Sequence, residues 1–468
     1  MSKEHPLIEL LQSLDHPEQR KLYKLLHSPY FNQREDVIRL YDYWRKHCSK
    51  ANKPFDKRQA FGVVFPTESV YKDGLMRYAL SFLLDACRRF LVLEELEASP
   101  RQAQLLLCRA LRKKGGGQVL GKTLERTTRQ KMPQSSVDAE HHLLSYQLAA
   151  ERFHQQYQQK RADKIAIGPI VEELTIYYAT ELLRWSATSL IRERLSGLPF
   201  EHGLLQSVLE YAKEYGPSHP TLNAYRLSYR ALTDDRSESF DRLLDLIESQ
   251  WQAFPPSDLK DIYLLAINFC IRQLNTGQRA FIRQGFELYR SGLEKGVLLE
   301  KQQLSKYTYN NILQLGLGLQ EFDWTEQFLE DYRSHLDPKE RDNLYCYNRA
   351  VFYFRKGDYA QAMSLLQDVE FKDLLYNLDA RRMLLRMYYE QGYFDALDSL
   401  LDSFRVFILR QKKIGYHRSN YLNLIQFMRK ILKMRPSDDK ARQKLRRQME
   451  QTASLAEKEW LLDIVQSR

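Results

Sequence analysis

The chain has 468 residues and a formal net charge of +11, with 43% hydrophobic and 28% charged residues. That balance is ordinary for a globular protein and argues against disorder. No apolar run approaches the roughly 20 residues of a spanning helix, and MSKEHPLIELLQSLDHPEQ has no uninterrupted apolar stretch of the kind a secretory leader needs.

Five cysteines (Cys48, Cys87, Cys108, Cys270 and Cys346) are odd in number, widely spaced and without a CxxC pair. Neither a disulfide framework nor a zinc site is written in that spacing, and a reducing cytoplasm is the expected setting.

Residues 1–97 read as about four helices broken at Ser28-Pro29, Lys53-Pro54 and Phe65-Pro66, an expected N-terminal helical domain. Asp15 with Glu18 and Asn32 with Glu35 place an acceptor at a helix start and a carboxylate three residues in, which satisfies backbone donors left free by the first turn. Leu80, Leu83, Leu84, Cys87 and Leu91 fall on one helical face.

Residues 98–170 form a basic polar helical segment with a glycine-rich loop, and 101–170 carries a net charge of +8. Within it Gly116-Gly117-Gln118-Val119-Leu120-Gly121-Lys122-Thr123 fits GxxxxGK[ST], in which Lys122 would reach terminal phosphates and Thr123 a magnesium ion. The preceding QAQLLLCRALRKK reads as a helix with a cationic last turn, whereas the motif needs an entering strand. A glycine-rich loop between helices is therefore expected, with no nucleotide site. His141 and His142 are adjacent and His154 lies 12 residues beyond, without the carboxylate that would complete a metal-ligand set, so exposed or capping histidines are expected.

From residue 171 the amphipathic spacing continues. Leu174, Tyr178, Leu182 and Trp185 share a face, and TLNAYRLSYRALTDD and DIYLLAINFC open two further helix pairs. Asp337, Pro338 and Glu340 signal another helix start. The clearest pattern is NRAVFYFRKGDYAQAMSLL followed by RMLLRMYYEQGYFDALDSLL. In the first block Ala350, Tyr353, Gly357, Tyr359 and Ala362 provide small residues for a helix crossing, aromatic fillers and a turn glycine. Tyr388, Gly392, Phe394 and Ala396 recur in the second, with its glycine 35 residues on and the alanine one place early, and Phe322 sits 37 residues before Tyr359. These intervals are close to the period of about 34 of the tetratricopeptide repeat.

The chain thus resembles a tetratricopeptide-repeat protein over roughly 302–405, and it is similar to bacterial proteins of this build, a resemblance that implies no activity. The expected fold class is all-α: a helical-hairpin, tetratricopeptide-like solenoid over 171–405, preceded by the small N-terminal helical domain and followed by a basic helical cap over 406–468. The resemblance places the inner groove on Tyr307, Asn310 and Gln314, then Tyr347 and Val351 with Phe354, then Arg382, Arg386 and Tyr389. Two arginines one turn apart can fork a carboxylate, and tyrosines supply contact area at low entropy cost. It also leaves no lysine at the matching places of the clamp that some family members use for C-terminal carboxylates.

The rival surface is the stretch 405–447, where fourteen Lys or Arg stand against two Asp and Phe407, Tyr416, Tyr421 and Phe427 interleave with them. Lys412, Lys413, Arg429 and Lys430 would then contact nucleic-acid phosphates. Leu422, Ile425, Met428, Ile431 and Leu432 at helical spacing instead make the aromatics core. The expectation is a non-enzymatic scaffold or adaptor without cofactor or metal that binds a protein or peptide, with nucleic-acid binding or regulation as the alternative and no membrane association.

Overall fold

A computed structural model describes residues 5–48, 55–129, 137–159, 166–196, 202–234, 237–367, 374–411, 415, 417–434 and 439–467. Among them the chain forms 23 α-helices and no strand, so the fold is all-helical. It divides into two compact units, Met1–Leu182 and Leu183–Arg468. Among the described residues no helix is long and apolar enough to cross a membrane.

The first unit contains α1 (Pro6–Ser13), α2 (His16–Leu26), α3 (Glu35–His47), α4 (Lys57–Val64), α5 (Asp73–Ala98), α6 (Pro100–Lys113), α7 (Gly117–Arg129) and α8 (Ala139–Gln159). The helix α9 (Gly168–Ser196) runs on into the second. Around α5, Leu80, Leu83, Cys87 and Phe90 pack with Tyr41 and Trp44 of α3 in one core. Each large side chain fully buried there contributes roughly 1.5–3 kcal/mol.

The Asp15 signal forms a full capping box: the Glu18 amide donates to Asp15 Oδ1 and the Asp15 amide to Glu18 Oε2, both at 2.8 Å. The Asn32 signal does not cap. Its Oδ1 accepts from the Arg34 amide at 3.1 Å and α3 starts beyond it, with Arg34 at the cap, because an Asn side chain satisfies an amide two residues on as readily as one in a helix. A second core of Leu105, Cys108, Leu120, Leu124 and Leu148 joins α6, α7 and α8.

The second unit is a succession of helices in which neighbours in sequence pack as pairs. After α10 (Leu205–Tyr215) come α11 (Pro220–Asp234) with α12 (Ser237–Gln250), α13 (Pro256–Asn275) with α14 (Phe281–Glu294), and α15 (Lys306–Gly318) with α16 (Phe322–Asp331). Then follow α17 (Arg341–Lys356) with α18 (Tyr359–Gln367) and α19 (Leu374–Glu390) with α20 (Phe394–Arg410). The chain closes with α21 (His417–Lys433), α22 (Asp439–Gln451) and α23 (Lys458–Ser467). Between pairs, α11 packs on α13, α15 on α17, and α17 on α19.

Four consecutive pairs turn the same way. Gly277, Gln320, Gly357 and Gly392 sit at φ +90, +60, +86 and +72. The next amide in each case bonds back to the carbonyl five residues earlier: Gln278 to Gln273, Glu321 to Gly316, Asp358 to Tyr353, and Tyr393 to Tyr388, at 2.8–3.0 Å. This left-handed cap satisfies carbonyls that the helix end leaves free. Phe322, Tyr359 and Phe394 each open the second helix two residues after the turn, as the aromatic spacing predicts.

Three expectations are corrected. Ala396 is exposed, and the position in register with Ala362 is Leu397, fully buried. Asp337 holds the Lys339 amide at 2.8 Å in a turn, while α17 begins at Arg341. On α9 only Leu182 of the expected face is buried, and Leu174, Tyr178 and Trp185 are exposed.

Ala362 itself is fully buried. Ala362→Leu should therefore overpack the α17–α18 pair and cost about 1–3 kcal/mol, read as a lower melting temperature. An unchanged melt would contradict the burial.

Candidate functional site

The glycine-rich motif, read from the sequence as a loop without a nucleotide site, lies at the start of a helix. Of the motif only Gly116 precedes α7, which starts at Gly117, and from Leu120 on the amides are taken up by the helix, the Leu120 amide bonding the Gly116 carbonyl at 2.8 Å. Thr123 Oγ1 donates to the Val119 carbonyl at 2.8 Å, and the expected loop is thus largely helix. A Cβ at Gly121 would stand 2.8 Å from Gln155 Nε2, so the glycine admits the close approach of α8. Lys122 is exposed. Lys122→Ala should leave both magnesium-ATP titration heats and thermal stability unchanged, and micromolar binding lost in the variant would overturn this reading.

The adjacent histidines are half-buried, contrary to expectation. Arg101 contacts His141 Nδ1 at 2.6 Å, and His142 Nδ1 lies 2.7 Å from Glu173. Burial, then the neighbouring Arg101 and His142, pushes the His141 pKa down. Among the described residues no group of three or more His, Cys, Asp or Glu could hold a metal ion. All five cysteines are free.

Of the nine groove residues inferred from the repeat, two are exposed, six join one network and Val351 belongs to the core. On α15, Tyr307 is 71% exposed and Gln314 is exposed. Six others join one network. Asn310 donates to the Tyr376 hydroxyl at 2.7 Å, and its Oδ1 is buried, so that oxygen is not offered to an incoming peptide. Tyr376 lies 4.6 Å, ring to ring, from Tyr347, whose hydroxyl donates to Asp379 at 2.7 Å. Burial and the Asp379 charge push the Tyr347 pKa above the usual phenol range. Val351, one turn after Tyr347 on α17, is buried, so that position is core rather than groove.

Arg382 and Arg386 project one turn apart from α19, as their spacing requires, and both already hold a carboxylate. Arg382 donates to Asp379 at 2.8 Å and to Glu457; Arg386 donates to Glu390 at 2.9 Å and to Glu457 Oε2 at 3.2 Å. Phe354 lies beneath both guanidiniums, at 5.7 and 5.6 Å. Trp460 covers Arg386 at 5.4 Å, donates to Glu390 at 2.8 Å and meets Tyr389 edge-on at 5.6 Å.

Glu457 comes from the segment before α23, 75 residues from Arg382. Asn423 of α21 anchors that segment by donating to the Ser454 carbonyl at 2.7 Å. Glu457 sits at φ +55, a conformation costing roughly 1–2 kcal/mol that the arginine fork offsets. Asp379 is readable as a partner of Arg382 from its three-residue spacing, whereas nothing local in the sequence marks Glu457 or Trp460 as partners of the arginines.

The basic stretch is more ordered than a solvated charge run. Lys412, Lys413 and Tyr416 lie outside the described residues. Arg429 pairs with Asp402, and Lys430 donates to Gln448 at 2.9 Å. Phe427 is buried, Tyr421 packs on Phe404 at 5.6 Å, and Arg381 stands over Phe407 at 4.9 Å. These rings are engaged within the protein. Neither a protein-family model nor any curated protein matches this chain.

Proposed function

We propose that this chain is a non-enzymatic interaction scaffold, a tetratricopeptide-like solenoid that holds a protein or peptide partner on its inner face in a reducing cytoplasm. The observation that carries this reading is the same left-handed turn joining the two packed helices of four consecutive pairs. Stacked pairs of this kind bury their apolar faces on one another and leave rows of side chains for binding.

The contact set is narrower than the full groove. Tyr307 and Gln314 on α15 are accessible, whereas Arg382 and Arg386 are occupied by Glu457 and serve to lock the C-terminal segment onto α19. A partner carboxylate reaches them only by displacing Glu457. Affinity capture with the full chain from its native cell, with and without nuclease, tests the reading. Nuclease-resistant protein partners that are lost from a Tyr307→Ala, Gln314→Ala double variant are expected. Partners that vanish with nuclease would overturn it.

A further inference from the structure

We propose that the groove between α20 and α21 is a docking site for an acidic amphipathic helix of a partner protein, on a surface separate from Tyr307 and Gln314. The groove has a volume of about 420 Å³. Its aliphatic lining comes from the adjoining ends of the two helices: Leu409 in the last turn of α20, and Leu422 and Ile425 in the first half of α21. The cations lie further from that junction, with Arg405 one turn back on α20 and Arg429, Lys430 and Lys433 in the second half of α21.

Charge sets the sign of the occupant. Four cations line the groove, and Asp402, itself 72% exposed, engages Arg429 alone. Among the described residues neither Arg405 nor Lys433 pairs with a carboxylate. Complementary acidic groups would be held there by charge-assisted hydrogen bonds.

The apolar end sets the class. Leu409 is 52% exposed, and Val406, three residues before it on α20, is 45% exposed, aliphatic surface that gains nothing from a phosphodiester backbone. The nearby rings are already packed, so bases find no stacking platform. A site for a lipid tail would enclose most of its ligand, and this groove leaves Leu409 half in solvent. From Leu422 to Lys433 it runs about 16 Å along α21, three helical turns. A partner helix with Asp or Glu toward one end and Leu or Ile toward the other, at three- and four-residue steps, matches that length and polarity.

The test is selection of helical peptides of about 16 residues, the roughly 11 that span the groove plus flanks that hold the helix, from a random displayed library against the full chain, then fluorescence anisotropy of the best peptide. The variants are Arg405→Glu with Lys433→Glu, and Leu409→Asp. The expected result is recovery of peptides with acidic residues in helical register beside Leu or Ile, each variant weakening the best by about tenfold or more with circular dichroism unchanged. Should the charge reversal disturb folding, Arg405→Gln with Lys433→Gln replaces it and the same loss is expected. Peptides lacking that pattern, or equal affinity for wild type and variants, would overturn the proposal. So would salt-steep binding of a single-stranded oligonucleotide that these variants abolish, which would assign the groove to nucleic acid.

Discussion

Gly316→Ala is expected to destabilise the second unit by about 2–3 kcal/mol, although alanine is the better helix former. A Cβ at Gly316 would stand 2.2 Å from Thr325 Oγ1, 3.4 Å from Thr325 Cβ and 3.5 Å from Phe286. Thr325 is fully buried and its hydroxyl donates to the Glu321 carbonyl at 2.6 Å, so it has no room to turn away. The overlap outweighs the roughly 0.5–1 kcal/mol that removing a helical glycine normally contributes.

Gly62 in α4 supplies the control: a Cβ there meets nothing within 4 Å, and Gly62→Ala should stabilise. Adding Thr325→Ala to Gly316→Ala removes the clashing oxygen and should recover much of the loss, a coupling that a double-mutant cycle reads directly. A Gly316→Ala protein that melts as wild type would show that α15 and α16 do not approach this closely.

The second large effect concerns the arginine fork. Replacing Arg382 and Arg386 together by Ala should cost about 3 kcal/mol, the low end of the range for stripping the partner from a buried charge, since these side chains keep some exposure. The change leaves Asp379, Glu390 and Glu457 facing one another without a cation. Glu457→Ala should cost less, about 1 kcal/mol, because each arginine retains its own carboxylate.

The same cluster sets a pH response. Burial alone would raise the Glu390 pKa, but hydrogen bonds from Tyr359, Arg386 and Trp460 overcome it and hold the carboxyl below its ordinary value of 4.5. A group with a depressed folded pKa contributes stability above its unfolded pKa and loses it as pH falls through the folded one. The second unit should thus lose stability below about pH 4.5, and Glu390→Gln should flatten that part of the profile. Equal acid sensitivity in the variant would remove Glu390 from the account. If the double arginine variant melts as wild type, the latch to Glu457 contributes nothing.

Local pattern made much of this legible. Gly357, Gly392 and the aromatic two places after each were readable because a left-handed turn and a helix start depend on neighbours in sequence. Gln320 makes the same turn without any sequence signature, since a non-glycine at positive φ carries none. Thr325 occupies the place of Ala362 one pair earlier, with the small residue moved to Gly316 on the first helix, so a search for alanine at fixed spacing misses that crossing.

Spacing reveals the groove arginines but not their occupancy by Glu457, which reaches them through tertiary contact alone. In the basic stretch nothing in the spacing joins Arg405 and Lys433 to Arg429 and Lys430, whose groove they share. Charge density is visible in a sequence; the packing of α20 on α21 is not.

The scaffold reading is tested most directly by a photo-crosslinking amino acid placed at position 307 of the full chain and irradiated in the native cell, with position 30 as control. Tyr307 and Tyr30 are both exposed, at 71% and 88%, and belong to different units. The account predicts a discrete protein adduct from position 307 that is absent from position 30 and persists after nuclease. No adduct at 307, or the same products from both positions, would contradict it.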